Sequence, residues 1–309
     1  MKHALVTGGA GFIGSHIVDR LVADGCTVRV LDDFSTGHRE NLAAAGDVQV
    51  MEGDIGDPDT VAAAVDGVDV VFHEAAIASV PRTIEDPLGS QRTNYQGTLN
   101  VLEAARKAST KRVVFASSAA IYGDDPELPK TEDMPARPLS PYAVDKLASE
   151  YACQMYWRLY GLETVCLRYF NVYGPRQDPS SAYSGVISVF ADRLKHATQP
   201  VIYGDGEQTR DFIYISDVVA ANIKAATIPG AAGEVFNVAT GNKVSLNELL
   251  RVMAGLCGLE SSPAYGEARA GDIRHSLANI NKAVEGLNMT PGVALDDGLA
   301  SLLQSLGIS

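Results

Sequence analysis

Short apolar, β-branched runs alternate with helix-period stretches through the first half of the chain. Ala4-Leu5-Val6, Val28-Arg29-Val30-Leu31, Val48-Gln49-Val50-Met51, Val68-Asp69-Val70-Val71-Phe72, Val113-Val114-Phe115 and Val165-Cys166-Leu167 read as six strands. Between them the spacing predicts helices over 13–24, 58–65, 93–108 and 141–160. The last of these is the clearest: Ser140 offers an N-cap oxygen, Pro141 suits the first helical position and Gly161 ends the run. Near-continuous apolar strands separated by helices need cover on both faces, which is the pattern of a doubly wound parallel α/β sheet.

The texture changes after Asn171. Gly, Pro, Ser and Asp rise in 174–185 and 203–211, and two further helical stretches follow at 245–257 and 296–305. We expect residues 1–171 to form a dinucleotide-binding domain, with 211–240 packing back onto it. Residues 172–309 are expected to form a smaller, mixed α/β substrate region at the carboxyl ends of the strands.

Charge narrows the partners. The 309 residues carry 25 Lys and Arg against 38 Asp and Glu, a net charge of -13. That deficit of cations speaks against nucleic acid and against an anionic membrane surface. Apolar residues make up 46%, yet no apolar run is long enough to predict a membrane span. The N-terminus lacks the features of a secretory signal. The four cysteines and six histidines are scattered, which predicts reduced thiols, no metal site and a cytoplasmic protein.

Gly8-Gly9-Ala10-Gly11-Phe12-Ile13-Gly14 follows the first strand and opens the first helix. Gly8, Gly11 and Gly14 allow a tight turn, approach of backbone amides to a pyrophosphate, and close packing of helix on strand. Asp32 ends the next strand eighteen positions later with Asp33 beside it, where a carboxylate accepts from ribose hydroxyls and repels a 2′-phosphate. NAD is therefore the expected cofactor, with Arg39 as a nearby cation able to soften that choice. Asp54-Ile55, closing the third strand, falls where an adenine would lie.

Tyr142 and Lys146 share a helix face at i and i+4. A neighbouring ammonium favours the phenolate, and a cationic nicotinamide would favour it further. Ser117-Ser118 end the fifth strand at the edge where the reactive end of a dinucleotide would lie.

Ser118, Tyr142 and Lys146 behind this glycine turn resemble the catalytic trio of the short-chain dehydrogenase/reductase superfamily. The resemblance runs through the whole chain and points to its extended, nucleotide-sugar branch, whose sheet is of the Rossmann type. It implies further cofactor contacts at Phe12, Ile13, Ser35, Thr36, Gly37, Ala75, Ala76, Asn94, Ser117 and Phe170. It also implies UDP-sugar contacts at Ser79, Ser118, Tyr142, Asn171, Val186, Tyr203, Arg210, Arg269, Asp272 and Ser276. Related dehydratases and decarboxylases place a carboxylate just after the active-site Ser or Thr, whereas this chain has Ser118-Ala119-Ala120.

Within the branch the chain is most similar to the UDP-glucose 4-epimerase family, which implies reversible C4 epimerisation through a 4-keto sugar with retained NAD. A small residue at Ser276 resembles members that also accept UDP-N-acetylglucosamine. A UDP-glucuronate 4-epimerase or another NAD-dependent UDP-sugar enzyme would use the same trio, and a nucleotide sensor would keep the fold without the chemistry. The resemblance further implies a homodimer formed through the helices at 93–108 and 141–160. Leu99, Leu102 and Ala105, with Ala148, Ala152 and Met155, supply the stripes that permit it. Two departures from the family pattern stand out: Glu74 where its members often carry an apolar residue, a carboxylate placed either to stabilise a cationic nicotinamide or to face solvent, and Phe212 where some carry tyrosine.

Overall fold

A computed structural model describes residues 1–177, 185–268 and 273–308. The first half runs β1 (His3–Thr7), α1 (Phe12–Ala23), β2 (Thr27–Asp32), β3 (Gln49–Glu52), α2 (Pro58–Val65) and β4 (Val70–His73). It continues through α3 (Val80–Glu85), α4 (Pro87–Gln91), α5 (Gly97–Lys107), β5 (Arg112–Ser118), α6 (Pro141–Tyr160) and β6 (Glu163–Tyr169). The remainder holds β7 (Asn171–Tyr173), α7 (Val186–Lys195), β8 (Val201–Tyr203), β9 (Thr209–Arg210), β10 (Phe212–Tyr214) and α8 (Ile215–Thr227). It ends with β11 (Val235–Val238), β12 (Val244–Ser245), α9 (Leu246–Leu256), β13 (Ala264–Gly266), α10 (Asn281–Leu287) and α11 (Leu295–Ser305).

Seven strands form one parallel sheet in the order β11-β6-β5-β4-β1-β2-β3. The winding direction reverses between β1 and β4, so a crevice opens at their carboxyl ends. Side chains alternate across the sheet as the strand period requires. Val6, Val30, Phe72 and Val114 bury themselves with α1 and α8 on one face. Leu5, Leu31, Val71, Val113 and Phe115 do so with α2, α5 and α6 on the other. Beyond the sheet, Tyr173, Ile187, Phe190, Leu249, Leu250, Leu299 and Leu302 build a separate small core.

Each of the six predicted strands is present. The seventh, β11, arrives from late in the chain and pairs with β6. The helix predicted from 93 starts earlier: α4 leads through a π-helical turn at Arg92–Gln96 into α5. Such wide turns recur at functional sites, and this one carries Asn94.

The stripes proposed for pairing are corrected in part. Leu102, Ala105 and Ala152 are buried in the core of the same chain. Met155 of the proposed stripe stays exposed, and Val144, Tyr151 and Leu159 on α6 meet solvent with it. No helix among the described residues is long and apolar enough to cross a membrane.

Candidate active site

The glycine turn after β1 is shaped by close approach. Gly8 adopts φ +68°, and a Cβ there would stand 2.7 Å from the Ala75 nitrogen. A Cβ on Gly14 would stand 2.2 Å from the Gly8 carbonyl oxygen, so only glycine lets α1 start this close to the turn. The N-cap of α1 is Gly11 and no side chain caps it. First-turn amides, those of Phe12 and Ile13 among them, are thereby left for an anion.

Asp32 ends β2 buried, its Oδ2 accepting the Ala10 N–H at 2.9 Å and its Oδ1 the Phe34 N–H at 2.8 Å. Burial pushes its pKa up against those two amides. A Cβ on Gly37 would stand 2.8 Å from Oδ1, so the glycine keeps the approach to the carboxylate open. Asp33 is exposed and accepts from the Ser35 amide and hydroxyl, and Thr36 is exposed beside them. Arg39 stacks over Phe34 at 4.1 Å and reaches Glu52 at 2.5 Å. Its guanidinium is thus engaged away from Asp32. Asp54 accepts the Gly56 N–H at 2.7 Å, while Ile55 is buried against Gly97.

A chain of hydrogen bonds fixes the wall that follows β4. Thr98 donates its hydroxyl proton to the Asn94 carbonyl at 2.6 Å, so it accepts from His73 Nε2 at 3.0 Å. His73 Nδ1 then accepts from Thr7 Oγ1 at 2.7 Å, and that oxygen accepts the Ala75 N–H at 3.3 Å. Burial, helped by the Lys146 charge, pushes His73 down to about 3, so the ring stays neutral. Asn94 clasps Ile77 through both its amide oxygen and nitrogen, at 2.7 and 3.1 Å. Its amide therefore holds the Ala75-Ala76-Ile77 segment in place. Ser79 caps α3 through the Arg82 N–H at 3.3 Å.

Ser118, Tyr142 and Lys146 converge at the ends of β5 and α6. The Lys146 Nζ is buried and donates to the Ala116 carbonyl at 2.6 Å, 5.8 Å from the Tyr142 ring centroid. Burial pulls Lys146 down to about 8, opposed by Glu74 and Asp145. Burial also raises the Tyr142 phenol, with Glu74 adding to the rise and a hydrogen bond with Ser118 opposing it. Lys146 alone therefore leaves the phenol protonated, so a second positive charge is needed to make it a base.

The two serines part company. Ser117 turns inward and donates to Glu150 at 2.5 Å, while Ser118 keeps its hydroxyl at the site edge, accepting the Ala120 N–H at 3.1 Å. Phe170 is buried with Ile121 and Tyr122 as part of a small core.

Asn171, Val186, Tyr203 and Arg210 line one cavity of about 310 Å³ between the sheet and the small core, with Gln177 and Phe212. Asn171 Nδ2 donates to the Asp211 carbonyl at 2.9 Å, and Arg210 Nη1 to the Thr209 carbonyl at 2.9 Å. Ser276 lies next to this strand, its N–H on the Thr209 carbonyl at 3.0 Å. Arg269 and Asp272 lie outside the described residues.

Sequence reasoning did not find the groups that hold these parts together. Buried Asp211 accepts four hydrogen bonds, from the Thr240 amide and hydroxyl and from the Gly241 and Ala278 amides. Glu150, Arg168, Tyr122 and Asn237 form a buried network behind Ser117. The available signal was a charged residue inside an otherwise apolar strand, Arg168 in β6.

A family model described as NAD dependent epimerase/dehydratase matches residues 4–239. The UDP-glucose 4-epimerase of Mycolicibacterium smegmatis is 42% identical over 305 residues, 97% of each chain. The structure of a UDP-glucose 4-epimerase with UDP-glucose from Thermotoga maritima superposes with a TM-score of 0.94 at 38% identity, covering 99% of this chain and 98% of that one. A UDP-N-acetylglucosamine 4-epimerase from Methanobrevibacter ruminantium, in complex with UDP-N-acetylmuramic acid, does so at 0.95 and 38%, with the same coverage.

Proposed function

Because the chain belongs to the NAD dependent epimerase/dehydratase family, we propose that it interconverts the C4 epimers of a UDP-hexose with NAD as cofactor. The observation that carries this reading is a Tyr142 phenol beside Ser118 and Lys146, followed by Ala119-Ala120 rather than a carboxylate. With no carboxylate directly after Ser118, the site is suited to moving one proton to and from a hydroxyl.

The residues fit the cofactor. The glycine turn is a cradle that a Cβ at Gly8 or Gly14 would fill, and Asp32 offers its remaining lone pairs to ribose hydroxyls. Engagement of Arg39 by Glu52 and Phe34 favours NAD over its 2′-phosphate. When bound, NAD supplies a reversible hydride store. Tyr142 takes the proton from the C4 hydroxyl, relayed by Ser118, and gives it back whichever face of the sugar is presented. Lys146 stabilises the phenolate by its charge. Asn171, Arg210, Tyr203 and Val186, with Arg269 and Asp272, hold the UDP part while the sugar turns. On this reading residues 1–171 with 211–240 serve the dinucleotide, and 172–309 serve the UDP-sugar.

The exposed apolar stripe of α6 supports a homodimer, and four free cysteines fit a cytoplasmic place of work. Small Ser276, beside the Arg210 strand, supports acceptance of the N-acetylated sugar. The test is product analysis with UDP-galactose, UDP-GalNAc and UDP-glucuronate, with and without added NAD. C4 epimers of the first two are expected. Turnover of UDP-glucuronate alone would replace the substrate, and silence with NAD present would overturn the reaction.

A further inference from the structure

We propose that Glu74 is a charge-compensating residue whose carboxylate favours the oxidised, cationic dinucleotide ring over the neutral, reduced one. The inference rests on the NAD reading above and concerns one side chain.

Position comes first. In the sheet β4 lies between β1, which leads into the glycine turn, and β5, which ends at Ser118. A dinucleotide running from that turn to Tyr142 crosses the end of β4, where Glu74 is the first residue beyond the strand. The Glu74 N–H is tied to the Thr7 carbonyl at 3.1 Å.

Orientation follows from proton counting. Asn222 Nδ2 donates to the Val218 carbonyl at 2.9 Å, which fixes it as the donor to Tyr169 Oη at 2.7 Å. Tyr169 must then spend its one proton on Glu74 Oε1, at 2.9 Å. The carboxyl is thus held from below by a relay that begins on α8. An apolar residue would fill the space without that desolvation penalty.

Charge completes the picture. Glu74 is faced by Tyr169 from β6 and by Lys146 and Tyr142 from α6. Desolvation carries the carboxyl up to about 7, against the Tyr169 hydrogen bond and the Lys146 charge. A cationic ring alongside tips that balance towards the carboxylate.

In the test, full-length protein is equilibrated with defined NAD⁺ and NADH mixtures and free nucleotide is removed. The bound ratio is read by fluorescence of the reduced ring and by chromatography of released nucleotide. Wild-type protein is expected to favour NAD⁺ about tenfold more at about pH 8.5 than at about pH 6. Glu74→Gln should lower the NAD⁺ preference at about pH 8.5 towards the low-pH ratio, leaving only the part of the dependence that Lys146 and Tyr142 supply. Tyr169→Phe, which keeps the carboxyl but removes its donor, should move the transition to higher pH; a role in packing alone would not. A ratio unchanged in Glu74→Gln with nucleotide still bound overturns the inference. Wild-type protein that retains neither nucleotide overturns the NAD reading, and the inference falls with it.

Discussion

Arg168 and Glu150 meet as a buried, two-pronged pair, Nε to Oε1 at 2.9 Å and Nη2 to Oε2 at 2.8 Å, between β6 and α6. The same guanidinium donates to Tyr122 at 2.8 Å, and Tyr122 donates to Asn237 of β11 at 2.6 Å. Ser117 donates to the same carboxylate, so the pair joins the end of β5, α6 and the last strand of the sheet.

Breaking that pair from one side should be costly. Glu150→Ala strands a buried guanidinium and is expected to lower unfolding free energy by about 3–5 kcal/mol, measured by urea denaturation. The double variant Glu150→Leu with Arg168→Met should lose less than the two single losses combined. Additive losses would mean that the pair is not coupled.

Tyr142→Phe removes the proton carrier and almost no volume. Turnover should fall about 10²–10⁴-fold, while melting temperature and dinucleotide retention stay near wild type. Lys146→Met should cost turnover and weaken retention together. Steady-state rates and bound nucleotide per chain separate the two.

Glu74 predicts a pH-dependent stability of the nucleotide-free protein. Its carboxyl releases a proton near 4.5 when unfolded but near 7 when folded. Its contribution is therefore fully present below the lower value and lost as pH rises through the higher one. Glu74→Gln does not titrate, so its melting temperature should gain on wild type by about 2–5 °C between about pH 5 and about pH 8. A difference that stays flat with pH would show that the carboxyl does not titrate in this window.

Much of this architecture was legible locally. The six strand runs, the glycine turn and the Tyr142 and Lys146 spacing each depend on neighbours in sequence. β11 was not, because Val-Phe-Asn-Val is short and broken by Asn237, whose partners are Tyr122 and Lys130 in a distant loop. The partners that fix Asn94, Ser117 and Glu74 stayed hidden for the same reason. Each is defined by a partner that the fold, not the sequence spacing, brings near, such as Tyr169 95 positions from Glu74. The pairing stripe misled because apolar spacing marks a buried face without saying whether this chain or another covers it.

The exposed side of α6 gives the prediction on assembly. Tyr151 and Leu159 are 59% and 68% exposed, two turns apart on one face. Tyr151→Glu with Leu159→Glu should convert a dimer into a monomer at micromolar concentration, read by light scattering. Unchanged mass would place the contact elsewhere.

The sheet is closed by its last strand to be made. β11 occupies the edge beside β6, and its Asn237 locks the network behind Ser117. During synthesis the sheet therefore waits, with the flank of β6 bare, until residues 235–238 have left the ribosome. A nascent chain halted earlier would present an unpaired strand edge, open to chaperones and to aggregation. The small core, which takes in Leu299 and Leu302, is completed only after the sheet.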